Sequence, residues 1–343
     1  MDPQLGLFDD EPSVPGMVGP APAPPEVLGL GRHLSAGLRL GTSSWSFPGW
    51  AGIVYDRKAS ELVLAREGLA AYASHPLLRT VGIDRTWYRP VPAEVLRAYA
   101  DVVPDDFRFL VKADRLLTSP TNPGEGSFRG RNVRFLDPTY AIEEVLGPAS
   151  AGLGAKAGPI LFQFPPIPPS LVGGREAFAE QLHRFLDALP RGPLYAVELR
   201  TPGLLTPAYA GVLESTGVAH CYVVHPAMSP LAEQLGAVRH FEQPALVVRW
   251  MLHAGLGYEV AKDRYAPFDH IVDEDPESLE RISVAALDAL IAERRVFVVV
   301  NNKAEGSAPL SVFRLARRIA AWNRPDGGSV SDPPAGDAED GRP

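Results

Sequence analysis

Between about residue 38 and residue 322 the chain alternates two patterns. Short runs with every second position apolar are followed by longer runs with apolar residues three and four apart. These are the periods of half-buried strands and amphipathic helices. The first pattern predicts strands over 38–43, 80–84, 107–112, 159–164, 194–200, 218–224, 246–251 and 295–301. The second predicts helices over 61–72, 93–102, 175–189, 207–215, 283–294 and 310–322, with another beginning at Thr139 after a long loop. The helix over 175–189 is the clearest, with Phe178, Leu182, Phe185, Leu186 and Leu189 on one face. About eight strand–helix units in about 290 residues have the size and rhythm of an α/β protein built as a single (β/α)8 barrel of the TIM type. An open, doubly wound sheet is the alternative, although no Gly-x-Gly-x-x-Gly follows the first strand.

The barrel is expected to span residues 37–323. Residues 1–36 and 324–343 are crowded with Pro and Gly and lack either period, so both are read as disordered tails. Two long loops interrupt the barrel. Thr118–Asp137 carries Arg129, Arg131 and Arg134; His253–Asp275 carries Tyr258, Lys262, Arg264 and Tyr265 on what is read as outer loop. Loops of this length are commonly functional.

Strand parity then locates candidate chemistry. In Leu194–Arg200, residues Tyr195, Val197 and Leu199 point one way, and Ala196, Glu198 and Arg200 the other. The same choice of the less bulky face puts Ser43, Asp84, Lys112, Gln163, Arg249 and Asn301 inward near the C-terminal ends of their strands. Barrel enzymes keep their sites at that end, and a ring of polar groups there is hard to bury dry. Lys112, Arg200 and Arg249, with Arg89 beyond the second strand, point to an anionic ligand: a small molecule or nucleic acid. Glu198 and Asp84 are candidate general base and acid, or simply counter-charges for the arginines. Trp45 and Tyr88 follow the first two strands as rim packing or as stacking surfaces. The stretch Asn302–Ser307 before the last helix is a candidate phosphate seat, or an ordinary capped helix start.

Composition removes some alternatives. The formal charge of −8 argues against a protein coated in nucleic acid but leaves room for a local basic cleft. One cysteine, Cys221, rules out an intramolecular disulfide framework and a Cys-based zinc site. No apolar run reaches the roughly 20 residues of a membrane span, and no basic segment leads into an apolar core at the N-terminus; a cytoplasmic protein is expected. No cofactor is implied and no metal is expected. His225 and His253 could join Glu198 or Asp84 at the mouth, but nothing in their spacing requires it.

Several stretches together carry a family resemblance. Gly41-Thr42-Ser43-Ser44-Trp45-Ser46-Phe47-Pro48-Gly49-Trp50 is followed by Thr86-Trp87-Tyr88-Arg89, Asp105–Phe109, Val111-Lys112, Leu161–Pro166, Ala196–Arg200, Asn301-Asn302 and Gly306. In this order they resemble the YecE-like family, domain of unknown function 72, over about Leu38 to Ile319. The resemblance implies a TIM-type barrel and no established activity. Four positions depart from the family pattern. Gly82 replaces an acidic residue, Thr201 a His, Lys303 an Asp, and Arg249-Trp250-Met251 stands for Arg-x-His-Gly.

Two functions are compatible with these readings. One is a metal-independent hydrolase of the phosphoesterase class acting on an anionic substrate, nucleic acid among the candidates. The other is a non-catalytic nucleic-acid-associated protein tethered to a partner by its tail. The tail contains Gln4-Leu5-Gly6-Leu7-Phe8, which resembles the peptide by which bacterial repair and replication proteins dock on the sliding clamp. A peptide spanning Gln4–Phe8 is expected to bind a bacterial clamp in a polarisation assay. Leu7→Ala with Phe8→Ala should weaken it at least several-fold, because apolar anchors dominate such contacts. Equal binding by both peptides would remove the partner.

Overall fold

The computed structural model describes residues 17–122, 130–238 and 242–322. Eight parallel strands close into one barrel in sequence order, β8 pairing with β1. They are β1 Leu38–Thr42, β2 Leu78–Ile83, β3 Arg108–Lys112, β4 Ala157–Gln163, β5 Tyr195–Glu198, β6 Ala219–Val224, β7 Ala245–Trp250 and β8 Arg295–Val300. The eightfold rhythm of the sequence therefore folds as a TIM-type barrel rather than an open sheet.

Parity explains the two layers of the core. Leu110, Leu161, Ala196, Ala219, Cys221, Ala245, Val247, Phe297 and Val299 fill the barrel interior as one cluster. The alternate residues, among them Phe109, Phe162, Val197, Val248 and Val298, face the surrounding helices. Several interior residues on β5, β6 and β7 are small, which leaves room for long side chains one step further along the strands. Gly41 is required for closure: a Cβ there would sit 1.8 Å from the Thr80 carbonyl oxygen.

The helices depart from the sequence pattern in four places. Residues read as part of a disordered tail form α1, Pro25–His33, and pack on the barrel. Val27 and Leu34 are buried, Glu26 pairs with Arg317 at 3.1 Å, and Arg79 donates to the carbonyls of Leu34 and Ser35. The Pro at its first turn and the Arg-His at its last are ordinary helix signals hidden in a Pro-rich stretch. The other helices to be named are α2 Glu61–Ala73, α3 Ala93–Asp101, α4 Arg175–Asp187, α5 Pro207–Thr216, α6 Leu231–Ala237, α7 Tyr258–Tyr265, α8 Pro276–Ile291 and α9 Ala308–Trp322. No helix was expected after β6, where α6 lies, and α7 lies inside the stretch read as an outer loop. Helix α8 starts at Pro276 rather than Ser283, because the Asp275 carboxylate accepts from the Ser278 amide at 3.0 Å.

The segment carrying α7 is hung from the turn after β8. The Glu305 carbonyl accepts from the Val272 amide, and the Glu305 carboxylate accepts from the Asp275 amide and from Arg314. Gly306, with φ +121°, lets the two pass; a Cβ there would lie 2.6 Å from the His270 carbonyl oxygen. The pentapeptide Gln4–Phe8, Arg129 and the residues after Trp322 lie outside the described residues. Among those described, no helix is long and apolar enough to cross a membrane.

A chain beginning at residue 37 is expected to melt below one beginning at residue 17, since α1 buries apolar surface and satisfies Arg79. Equal melting temperatures by calorimetry would show that α1 adds nothing to the fold.

Candidate functional site

Each strand delivers its last inward residue to one end of the barrel. Ser43, Asp84, Lys112, Gln163, Arg200, Arg249 and Asn301 all line a cavity of about 710 Å³ there. Glu198 lies directly beneath it, fully buried. A larger hollow of about 860 Å³ sits outside the barrel against α6 and α8, away from the strand ends. The first cavity is the candidate site because inward polar groups from most strands converge on it.

Its floor is an ion cluster. Glu198 Oε1 accepts from Arg200 Nε at 2.5 Å, and Glu198 Oε2 accepts from Arg249 Nη1 at 2.7 Å. Arg249 Nη1 also donates to Gln163 Oε1 at 3.0 Å, and Asp84 Oδ1 stands 3.8 Å from Arg249 Nη2. The register lays Gln163 beside Glu198, so these contacts follow from strand pairing. Burial alone would raise the Glu198 pKa, but the two guanidinium groups outweigh it and hold the carboxyl down at about 2. Burial and Glu198 together push the adjacent Cys221 thiol well up, so it stays protonated.

Glu198 is thus an ionised counter-charge with both oxygens engaged. That is poor chemistry for the general base that the sequence also allowed, which needs reach to a substrate proton. Asp84 is better placed: it lines the cavity, and its Oδ1 has no hydrogen-bond partner in the protein.

The walls hold two desolvated lysines. Lys112 Nζ lies 4.2 Å from the centre of the Trp87 ring. Burial is the largest cause lowering its pKa, to about 8, with Arg249 and Arg200 adding to the fall and Asp84 and Glu198 opposing it. Lys303 Nζ lies 4.3 Å from the Tyr258 ring and 3.3 Å from Asn301 Oδ1. Burial, again the largest cause, and Lys262 lower its pKa to about 8. Asn301 is fixed in turn by donating to Ser43 Oγ at 2.8 Å. Phe47, Tyr88, Tyr258 and Phe268 complete the rim.

Some expected residues are elsewhere. Trp45 is buried, donating to the Ala65 carbonyl and meeting Tyr99 edge-on, so it packs the core and does not face the cavity. Arg89 is exposed and outside the cavity lining. The candidate phosphate seat before α9 is closed: Asn302 Oδ1 accepts from the Ala308 amide, and Asn302, Ser307 and Ala308 are buried. Conversely, Lys262, taken as an outer-loop residue, lines the mouth together with Lys303, Phe268 and Met251. Lys303 follows directly on the β8 terminus, so its position was a usable signal; Phe268 and Lys262 depend on loop geometry that has no period. His225 lines the cavity with its pKa lowered to about 4 by burial, while the His253 ring binds the neighbouring Ala254 carbonyl. Among the described residues no three or more His, Cys, Asp or Glu side chains group closely enough to hold a metal ion.

A profile of the family described as "Protein of unknown function DUF72" matches residues 39–334. The chain belongs to the DUF72 family. Solved structures agree on the fold. A DUF72 family protein from Enterococcus faecalis V583 is 18% identical, with a TM-score of 0.56 over 88% of this chain and 100% of the other. A DUF72 family protein from Thermotoga maritima MSB8 is 16% identical, with a TM-score of 0.52 over 84% of this chain and 99% of the other. No curated protein matches the chain.

Replacing Glu198 by Gln leaves two buried guanidinium groups short of a counter-charge and is expected to cost about 3–5 kcal/mol in denaturant unfolding at neutral pH. Because the folded pKa is depressed, the stabilisation from Glu198 is complete above about pH 4.5 and is lost as pH falls toward about 2. A wild-type stability curve flat across that window and matched by Glu198→Gln would mean the cluster contributes nothing.

Proposed function

We propose that this DUF72 protein is a barrel enzyme acting on a phosphate-bearing or otherwise anionic substrate bound at the C-terminal mouth. The observation that carries this reading is the charge balance of the cavity. Arg200 and Arg249 share the one carboxylate of Glu198, and Lys112, Lys262 and Lys303 line the same cavity with Asp84, Glu61 and Glu259, so five cations face four carboxylates. The excess of one positive charge lies on the inner side, where Lys112 has no carboxylate in contact among the described residues, and a bound anion offsets it. Asp84 and Lys112 are the groups suited to proton transfer, one a carboxylate whose Oδ1 accepts no hydrogen bond and the other an amine with its pKa lowered to about 8. Hydrolysis of a phosphoester is the reaction to test first. Aromatic side chains at the rim, Tyr88 and Phe47 among them, suit a substrate carrying bases or sugars. The tail pentapeptide favours the second reading, a non-catalytic protein brought to nucleic acid by the clamp. Turnover of a phosphoester panel separates the two.

Phosphate, sulfate or a short oligonucleotide is expected to raise the melting temperature, by mass action on the folded state. Arg200→Ala should lose about 1.5–3 kcal/mol of anion binding for a charge-assisted contact, whereas Lys58→Ala, exposed and away from the cavity, should keep it. Lys112 is charged below its lowered pKa and neutral above it, so the rise should be larger below pH 8 than above. Identical responses of wild type and Arg200→Ala to every anion would make the charged ring structural.

A further inference from the structure

Lys112 differs from the other cations of the mouth in what surrounds it. It ends β3, a rigid strand, and only 8% of its surface is exposed. Its Nζ forms no salt bridge among the described residues and rests over the indole of Trp87. The two guanidinium groups on the cavity floor can hold an anion together with the amine or, more weakly, without it. Asp84 lines the same cavity, and its Oδ1, 3.8 Å from Arg249 Nη2, accepts no hydrogen bond. Lys303, by contrast, has Asn301 as a hydrogen-bond partner and, although Asp84 acts on it too, is influenced by Lys262 and Glu259 and not by the two arginines.

We infer that Lys112 is a nucleophilic amine that forms an imine with an aldehyde or ketone bearing a phosphate or carboxylate group. The inference rests on the anion site proposed above and not on phosphoester hydrolysis. An amine poised for this needs an accessible deprotonated fraction near neutrality, and burial, with the two guanidinium groups adding to it, raises that fraction by lowering the pKa to about 8.

The step balances without any redox partner. The Lys112 ammonium, which does not touch Asp84, passes a proton to it by way of solvent in the cavity, and the free amine attacks the carbonyl carbon. A C–N bond forms as the carbonyl π pair moves to oxygen, and a proton passes from nitrogen to that oxygen to give a carbinolamine. Asp84 returns its proton to the leaving hydroxyl, which departs as water while the nitrogen lone pair closes the C=N bond. One ammonium and one carbonyl thus yield one protonated imine and one water. Arg200 and Arg249 hold the anionic group, which limits the reaction to carbonyl compounds that carry one. The protonated imine then draws electrons from bonds at the adjacent carbon.

The full chain is incubated with glyoxylate and cyanoborohydride, then peptide-mapped by mass spectrometry. Parallel arms use a free sugar-phosphate aldehyde and an oligonucleotide containing an aldehydic abasic site, which distinguish a small metabolite from a nucleic-acid source. One reduced adduct on Lys112 is expected, formed about tenfold faster than with neutral propionaldehyde and slowed by added phosphate. Lys112→Arg keeps the charge and should lose the adduct while keeping the wild-type melting temperature within a few degrees. If Lys112→Arg does not fold, the wild-type site map and the glyoxylate-to-propionaldehyde ratio decide alone. Labelling spread over surface lysines, or no preference for the anionic aldehyde, overturns the inference. Anion-dependent stabilisation without a Lys112 adduct removes the imine and leaves the anion site standing; absence of both removes both.

Discussion

One carboxylate held between two guanidinium groups sets the character of this barrel. Glu198 is fully buried and would be costly there as a lone charge. Arg200 from its own strand end and Arg249 from β7 each take one of its oxygens. That arrangement requires the small interior residues Ala196, Ala219, Cys221 and Ala245 below it, since large ones would exclude the long side chains. It also sets Gln163 in register beside Glu198, where its Oε1 accepts a second bond from Arg249 Nη1. Buried ion clusters add little net stability compared with an apolar core of equal volume. A barrel mouth built this way therefore fits a site for binding better than a device for folding.

The barrel was legible in the sequence because it is made of repeats with a period. Val247–Arg249, Val299–Asn301, Leu110–Lys112 and Ala196–Glu198–Arg200 show alternate residues entering one interior, as the parity of each strand dictates. What escaped was signalled by caps and not by period. Asp275-Pro276 marks the start of α8 by the ordinary rule of a capping carboxylate before proline, yet the apolar spacing becomes regular only several residues later. Helix α1 has a mean composition close to that of a flexible tail, and only its contacts with Arg79 and α9 make it structure. Short segments of this kind gain stability from tertiary packing, which no local window contains.

The site was legible to the same depth and no further. Residues on strand ends converge because the strands do, and seven of the inward polar residues named from parity line one cavity. Residues on loops follow other rules. Trp45 shares its stretch with Phe47, yet Trp45 turns into the core toward Ala65 and Tyr99 while Phe47 faces the mouth. Lys262 and Phe268 reach the cavity because Glu305 and Gly306 hang the α7 segment over it, a connection between residues more than thirty apart.

The two wall lysines explain how the mouth keeps its charge. An ammonium paired with a carboxylate is neutralised as a unit and offers an incoming anion little. An ammonium over an aromatic face is stabilised by the ring quadrupole without gaining a negative partner. Lys112 over Trp87 and Lys303 over Tyr258 both use the second solution. The ring replaces part of the lost hydration but not all of it, which is why both pKa values fall to about 8 and not to ordinary surface values. In this member of the family, the aromatic residues after β2 and on α7 belong to the electrostatics of the site as much as to its walls.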